Sequence, residues 1–208
     1  MLGFNGTFRL DVWIGGENPR KYVLAISLFL TLAGCSGEAV FQGRATSSWV
    51  NQFKDKDPAI RQEAIRALGQ IGPDAVLPLC KALEDPNSNV RMSAADALGR
   101  IGEDAKGAVA ALNEALKDPD RNVRRHAAFA LGIIDPADKS VVPALIESLK
   151  DRDLEVRRLA AVALGRFGRE AMSAVPALNE AIKFETDDWC RRILRDALEK
   201  INEEVTPN

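Results

Sequence analysis

The chain carries four aspartate–arginine pairs in which the arginine follows the aspartate by six residues: Asp55 and Arg61, Asp85 and Arg91, Asp118 and Arg124, and Asp151 and Arg157. A carboxylate and a guanidinium in one place could bind a phosphate or take part in acid–base chemistry. A reaction centre needs such a pair only once, however, and four copies at regular spacing indicate a structural role. We therefore expect these eight residues to stabilise the fold.

Other residues that could support catalysis are sparse. His126 is the one histidine in the 208 residues, so a metal site built from several histidines is excluded. A serine or cysteine nucleophile would have to use His126 as its base, and neither Cys80 nor Cys190 has an activating neighbour in the sequence. No glycine-rich phosphate loop follows a strand pattern. We predict no enzymatic activity, no cofactor, no metal site and no small-molecule substrate.

The arginines belong to a longer motif that recurs along the chain. It reads Val-Arg-x-x-Ala-Ala-x-Ala-Leu-Gly in its clearest copies, and its arginine stands at positions 61, 91, 124, 157 and 191. The steps between copies are therefore 30, 33, 33 and 34 residues. A period in this range is typical of a solenoid, in which each supersecondary unit buries its apolar face against its neighbours.

Each repeat encodes two helices. In the second copy, apolar residues from Val76 to Leu83 recur at i, i+3, i+4 and i+7 and predict a first helix. A similar stripe from Val90 to Ile101 predicts a second helix, with Asn87 as its N-cap. Glycines lie inside the second helix of four copies, where each costs about 1 kcal/mol relative to alanine. Their recurrence predicts close helix–helix approach at every junction, at positions 69, 99, 132 and 165.

The copies resemble HEAT repeats of the short bacterial type also found in phycobilisome lyase subunits. The resemblance extends from Ser47 to about Asn202 and implies an all-α fold, a right-handed α-solenoid of about five HEAT-like helix pairs. In HEAT proteins the aspartate and the arginine six residues later form a buried hydrogen-bond ladder between neighbouring repeats. The resemblance therefore assigns this ladder role to the eight residues named above. HEAT-like hydroxylases bind iron through histidine–glutamate pairs, which a single histidine excludes.

The N-terminal part has the pattern of an export signal. Arg20 and Lys21 precede a short apolar run, which is followed by Leu-Ala-Gly-Cys ending at Cys35. This sequence looks like the lipobox of bacterial lipoproteins, which makes Cys35 the lipidated N-terminus of the mature chain. We predict a signal peptide at 1–34, a flexible tether at 35–46, the repeats at 47–202 and a tail at 203–208. The protein would be exported and membrane-anchored, at the outer membrane on its periplasmic side in a Gram-negative cell and otherwise at the outer face of the cell membrane.

The charge balance limits the partners. The formal net charge is −2 with 28% charged residues, so the chain as a whole does not attract nucleic acid or an anionic membrane. We expect no nucleic-acid partner, and membrane contact only through the lipid. A role like that of the bilin lyases conflicts with export, because those proteins act in the cytosol.

The outward positions of the second helices differ along the solenoid. The first two copies present polar residues there, whereas the last three combine apolar side chains with a line of arginines. Apolar residues edged by arginine are typical of interfaces. The candidate partner-binding residues are Arg125, His126, Phe129, Ile133, Arg158, Leu159, Val162, Arg192 and Ile193. Two other interpretations stay open: that they pack against neighbouring repeats, or that the solenoid curls over them.

From these observations we predict a lipid-anchored scaffold or adaptor that binds an unknown protein partner on the concave face of the second helices. Two alternatives remain, an accessory subunit of an enzyme complex similar to the bilin lyases and a structural module of the cell envelope.

Overall fold

The computed structural model describes residues 38–136 and 138–203. Within these ranges a short hairpin precedes ten α-helices, which form five antiparallel pairs of a first and a second helix. This confirms the predicted all-α solenoid. The strands are β1 (Val40–Phe41) and β2 (Arg44–Ala45). The first helices are α1 (Thr46–Asn51), α3 (Val76–Ala82), α5 (Val109–Ala115), α7 (Val142–Ser148) and α9 (Val175–Phe184), and the second helices are α2 (Pro58–Ile71), α4 (Ser88–Ile101), α6 (Arg121–Ile134), α8 (Leu154–Phe167) and α10 (Asp188–Glu203).

The second helices begin at side-chain caps. Asp57, Asn87, Asp120 and Asp153 have extended backbone, and each accepts a hydrogen bond from a backbone N–H at the start of the helix that follows. Such a cap satisfies one of the donors that the first turn of a helix leaves unpaired. Short 3₁₀ turns, such as Pro73–Ala75, then lead from each second helix to the next first helix.

The second helices lie much closer together than the first helices. A Cβ atom on Gly132 would lie 2.9 Å from the Cβ of Ala163, and one on Gly99 would lie 3.2 Å from the Cβ of Ala130. Neighbouring second helices consequently pack along their lengths, whereas neighbouring first helices make almost no close backbone approach. A stack that is tight on one side and open on the other curves toward the tight side. The second helices therefore form the inner, concave layer.

The segment before α1 differs from the prediction. Residues 35–46 were expected to form a flexible tether, but residues 40–45 form a two-stranded hairpin with a two-residue turn. Gln42 and Gly43 both have positive φ, at 51° and 73°, as a type I′ turn requires. The indole of Trp49 is buried under this hairpin and donates a hydrogen bond to the carbonyl of Phe41 at 3.3 Å. The hairpin is ordered because it covers the aromatic core at the open end of the first repeat.

The other end of the solenoid carries charges where earlier repeats have small residues. Ala95, Ala128 and Ala161 are fully buried at successive junctions, and the equivalent residue of α10 is the exposed Arg195. Glu199 likewise replaces the helix glycine. These charged residues prevent a sixth repeat from packing there, as a terminal cap should.

The structure describes none of the predicted signal peptide and only parts of the predicted tether and tail. The predicted signal peptide and Cys35 lie outside the described residues, and so does the tail except for Glu203, the last residue of α10. None of the helices in ranges 38–136 and 138–203 has both the length and the apolar character to cross a membrane.

The tight junctions can be tested with Gly132→Ala. In an ordinary helix interior this change stabilises by about 1 kcal/mol, but here the new methyl group would meet the backbone of Ala163 at 3.0 Å. We expect the free energy of unfolding to fall by about 1–3 kcal/mol, the usual cost of overpacking, in urea denaturation followed by circular dichroism. Gly107→Ala is the control, because its methyl group would meet only a Val76 methyl at 3.9 Å. A Gly132→Ala protein as stable as wild type would contradict the close packing.

Candidate functional site

A ladder of arginine–carboxylate pairs runs across the junctions between repeats. Arg124, in the first turn of α6, donates from Nε and Nη2 to both carboxylate oxygens of Asp151 in the next repeat, at 2.7 and 2.9 Å. Its Nη1 donates to the carbonyls of Asp118 and Pro119 in its own repeat, at 2.8 and 3.2 Å. The same arrangement recurs at every junction between the described second helices. The rungs are Arg61–Asp85, Arg91–Asp118, Arg124–Asp151 and Arg157–Glu185.

The two members of each predicted pair therefore contact each other only through the backbone. Arg61 binds the carbonyl of Asp55, while its carboxylate partner is Asp85, 24 residues later. The carboxylate of Asp55 instead accepts the N–H of Asp57 and shapes the loop before α2. Asp85 combines both tasks, because its Oδ1 accepts the N–H of Asn87 as well as a guanidinium N–H. Asp85, Asp118 and Asp151 thus each connect their own loop to the preceding repeat.

The last rung departs from the motif and was missed in the sequence. A one-residue insertion at the end of the first helix makes the final step 34 residues, and six residues before Arg191 a glutamate, Glu185, replaces the ladder aspartate of the earlier repeats. α9 consequently extends to Phe184, whose side chain is 68% exposed, and the buried Glu185 completes the rung with Arg157 at 2.8 Å. Arg191 then donates to the carbonyl of Glu185. The sequence signal was an acid at the usual spacing, because Glu185 stands six residues before Arg191, as Asp151 stands six residues before Arg157.

The rung between Arg157 and Glu185 is ionised at neutral pH. The hydrogen bond from Arg157 lowers the pKa of Glu185 from 4.5 to about 2. Because the pKa is lower in the folded state, the rung stabilises the protein fully above about pH 4.5, and this contribution is lost as the pH falls towards 2.

The described residues form no catalytic or metal-binding constellation. His126 Nδ1 lies 2.8 Å from the carbonyl of Asn122 on its own helix. Burial, and secondly a hydrogen bond with Glu185, raise the pKa of the Cys190 thiol to about 12, which leaves a poor nucleophile. Cys80 is also a free thiol, and burial raises its pKa. In ranges 38–136 and 138–203, no three histidine, cysteine, aspartate or glutamate side chains are placed to hold a metal ion.

Several of the predicted partner-binding residues share one surface. Phe129, Leu159 and Val162 line a shallow depression between α6 and α8, together with Arg166. The Phe129 side chain is 39% exposed, although it belongs to a helix with a well-filled core side. The remaining two apolar candidates, Ile133 on α6 and Ile193 on α10, are half-buried, and Ile193 packs against the core as Leu159 does. We call the five residues the apolar patch: Phe129, Ile133, Leu159, Val162 and Ile193.

The predicted line of arginines is partly engaged in contacts between repeats. Arg125 makes two hydrogen bonds of 2.7 Å to Asp153, the N-cap of the next second helix. Arg158 pairs with Glu155 and stacks over the Trp189 ring at 4.6 Å. Arg192 is exposed and has no partner among the described residues. Of the three predicted arginines, Arg192 is therefore the one that is not engaged by another described residue.

Two further pockets were not foreseen from the sequence, one on the inner face and one in the outer layer of first helices. The hairpin and Trp49 form one wall of a polar pocket of about 450 Å³ over α2 and α4, with Glu63, Arg66, Asp96 and Arg100 on the other walls. A smaller pocket of about 290 Å³ opens between α7 and α9. Its lining includes Ile146, Leu149, Ala181 and Phe184. Both depend on local departures from the repeat, which periodicity alone does not reveal.

The repeat geometry agrees with a known family. The sequence model described as HEAT repeats matches residues 46–120 and 109–199. The chain belongs to the HEAT-repeat family. A search of curated proteins finds none that matches the sequence.

Solved structures share the HEAT-like fold. An engineered protein is 27% identical, with a TM-score of 0.61 over 77% of this chain and 82% of that chain. The complex of CpcE and CpcF of phycocyanin lyase from Nostoc sp. PCC7120 has 22% identity and a TM-score of 0.60, over 73% of this chain and 96% of that chain. A designed armadillo repeat protein in complex with the peptide (KR)4 has 20% identity and a TM-score of 0.62, over 76% and 82%. This HEAT-repeat chain is therefore an α-solenoid.

The ladder can be tested with Arg124→Ala. The change leaves the buried carboxylate of Asp151 without its guanidinium, and removing one partner of a buried pair costs about 3 kcal/mol or more. Arg121→Ala is the control on the same helix, since Arg121 is exposed and lies 4.0 Å from Asp153; it should change the free energy of unfolding by less than about 0.5 kcal/mol. If the free energy of unfolding, measured by urea denaturation, falls equally in the two variants, the ladder does not stabilise the junction between repeats.

Proposed function

We propose that this HEAT-repeat protein is a scaffold or adaptor that binds a protein partner on the C-terminal half of its concave face. The observation that carries the proposal is the partly exposed apolar cluster formed by Phe129, Leu159 and Val162. These side chains lie on the inner layer, opposite the fully buried Val123, Ala127 and Ala160 of the same helices. Phe129 and Val162 lie outside the core cluster, whereas the half-buried Leu159 packs against its edge.

The contrast between the two halves of the inner face supports this location. The positions equivalent to Phe129 are Arg66 and Asp96 in the first two second helices, and Leu159 corresponds to Glu63 and Ser93. The same backbone environment thus accepts polar residues elsewhere. Apolar residues that are free to be polar, and that cluster beside arginine, are typical of interface hot spots.

The rigidity of the inner layer also favours binding. The Gly–Ala junctions and the ladder hold α6, α8 and α10 in fixed relative positions. A surface that is already ordered loses little conformational entropy when a partner binds, so more of the contact energy appears as affinity.

We propose further that the mature protein is anchored through lipid on Cys35, outside the cytoplasmic membrane. The support is the sequence Leu-Ala-Gly-Cys behind a short apolar run. Two or three acyl chains hold a protein at a bilayer far more firmly than one. The folded part begins only a few residues after Cys35, so the anchor would hold the N-terminal hairpin near the membrane surface.

A second candidate function is that of an accessory subunit in an enzyme complex. It is favoured by the likeness to the CpcE and CpcF complex, which at 22% identity is evidence of fold only. The two functions differ in one observable: an accessory subunit would raise the turnover of a partner enzyme, whereas a scaffold would only recruit its partner. We favour the scaffold without enzymatic activity.

Partner binding can be tested with Phe129→Ser combined with Leu159→Ser. The double variant should lose the partners that wild type captures from a native membrane extract, while its helicity stays within error and its melting temperature changes little. Phe129→Ala alone is the milder variant, in case the half-buried Leu159 contributes to folding. Leu77→Ser is the control, because Leu77 is an apolar residue on a first helix and is 76% exposed.

A folded double variant that still captures the same partners would place the site elsewhere. A loss of binding in the Leu77→Ser control would point to the outer layer instead.

The anchor can be tested with Cys35→Ala. Without the thiol no diacylglyceryl group can be attached, so labelled fatty acid should no longer be incorporated and the protein should leave the membrane fraction or stay unprocessed. Cys80→Ala is the matched control and should keep both label and sedimentation. A Cys35→Ala protein that is still acylated would rule out the lipoprotein assignment.

A further inference from the structure

The apolar patch lies between two rows of cations. On α8, Arg158 and Arg166 stand on either side of Leu159 and Val162, and α10 has Arg192 and Lys200 in the equivalent positions. The members of each pair are eight residues apart on one helix, which separates the two rows by about 12 Å. Lys200 lies over the junction with α8, since its Cδ would be 3.6 Å from a Cβ on Gly165.

These cations are largely uncompensated. Arg166 has one hydrogen bond to a described residue, a long one of 3.4 Å to the carbonyl of Gly132. Arg192 and Lys200 are exposed and have no partner in ranges 38–136 and 138–203. At the positions of α10 equivalent to Arg158, Leu159, Val162 and Arg166, the one acid is Asp196. Glu155 is already paired with Arg158 and Asp188 with Arg191, while Glu199 is exposed at the helix-glycine position at the end of the stack.

The N-terminal half of the same face is balanced. Its outward charges on α2 and α4 are Glu63, Arg66, Asp96 and Arg100, and Asp96 pairs with Arg100 at 3.0 Å. The positive charge of the inner face is therefore concentrated around the apolar patch, in a protein whose formal net charge is −2.

We propose that the segment bound at this site is an acidic amphipathic α-helix lying along the solenoid axis, across α6, α8 and α10. This inference rests on the proposed function and specifies the partner. The apolar side of the helix packs on Phe129, Leu159 and Val162, and carboxylates on its two flanks meet the two rows of cations. The charge of the site selects acidic flanks over basic ones.

The spacing of the site favours a helix over an extended segment. A helix with its side chains is about 10–12 Å wide, which fits between rows about 12 Å apart. Neighbouring second helices lie about 8–10 Å apart, and residues seven apart on a bound helix repeat every 10.5 Å or so. Acids at i and i+7 would therefore meet the cations of successive repeats. In an extended segment, side chains on the same side repeat about every 7 Å. They would therefore not line up with cations on successive repeats about 8–10 Å apart.

The experiment compares two labelled synthetic helical peptides with the same leucine face, one flanked by glutamate and the other by lysine. Fluorescence anisotropy with the full chain should give at least about tenfold tighter binding for the glutamate peptide, the effect of about 1.4 kcal/mol. The advantage should shrink as salt is raised. Equal or tighter binding of the lysine peptide, or no binding of either, would overturn the inference.

Charge reversal locates the peptide. Arg192→Glu with Lys200→Glu should weaken binding of the glutamate peptide by about tenfold or more, because two attractive contacts become repulsive. The matched control, Arg66→Glu with Arg100→Glu, changes the same charge on the balanced half and should leave the affinity unchanged. Equal losses in both variants would mean that only the overall charge matters, and the inference would fail.

The outcomes separate this inference from the proposed function. If the serine double variant loses its native partner but the two peptides bind wild type alike, the scaffold function stands and the acidic helix is wrong. If the serine variant keeps its native partner while the glutamate peptide still requires Arg192 and Lys200, the site takes acidic helices but is not where that partner docks.

Discussion

A guanidinium group taken out of water needs a carboxylate and several further acceptors at fixed positions, and in this chain the carboxylate always belongs to the following repeat. The carbonyls that complete its coordination belong to its own repeat. Each rung therefore fixes two adjacent loops relative to each other in distance and in angle. Hydrophobic contact alone would allow neighbouring helix pairs to slide, because apolar surfaces are not directional. The glycine–alanine approach between second helices is compatible with only one such arrangement.

The inner face follows from this geometry. Since the second helices lie in register, equivalent positions of successive repeats form continuous rows across the solenoid. When the residue type changes along a row, the polarity of the inner face changes with it. The face is polar at Glu63 and Asp96 and apolar at Phe129 and Leu159. Function can thus vary along the rows while the buried positions that hold the repeats together remain the same.

The sequence predicted the parts that local patterns encode. The helix pairs follow from apolar periodicity, the starts of the second helices from cap residues such as Asn87 and Asp153, and the close junctions from glycines such as Gly132. What escaped prediction has no local pattern. Strands of two residues are too short to show alternation of apolar and polar side chains. Glutamine rarely adopts positive φ, so Gln42 did not indicate a turn, and the segment was interpreted as a tether. The Arg125–Asp153 pair, for example, spans 28 residues. The Glu185 rung is an exception, because Glu185 has the usual six-residue spacing to Arg191 and was overlooked only because it is a glutamate. Among the site residues, the clustering of Phe129 with Leu159 and Val162 followed from helical phase, but the engagement of two arginines did not.

The difference in packing between the two layers has a mechanical consequence. The second helices touch through glycine and alanine and can neither approach further nor separate without losing contact, whereas the first helices have room between them, as the opening beside Phe184 shows. When such a stack bends, the stiff inner layer is the one whose length changes least. Flexing then changes the spacing of the outer helices and leaves distances along the inner face almost constant. The concave face therefore keeps nearly constant distances between its surface positions while the layer of first helices flexes.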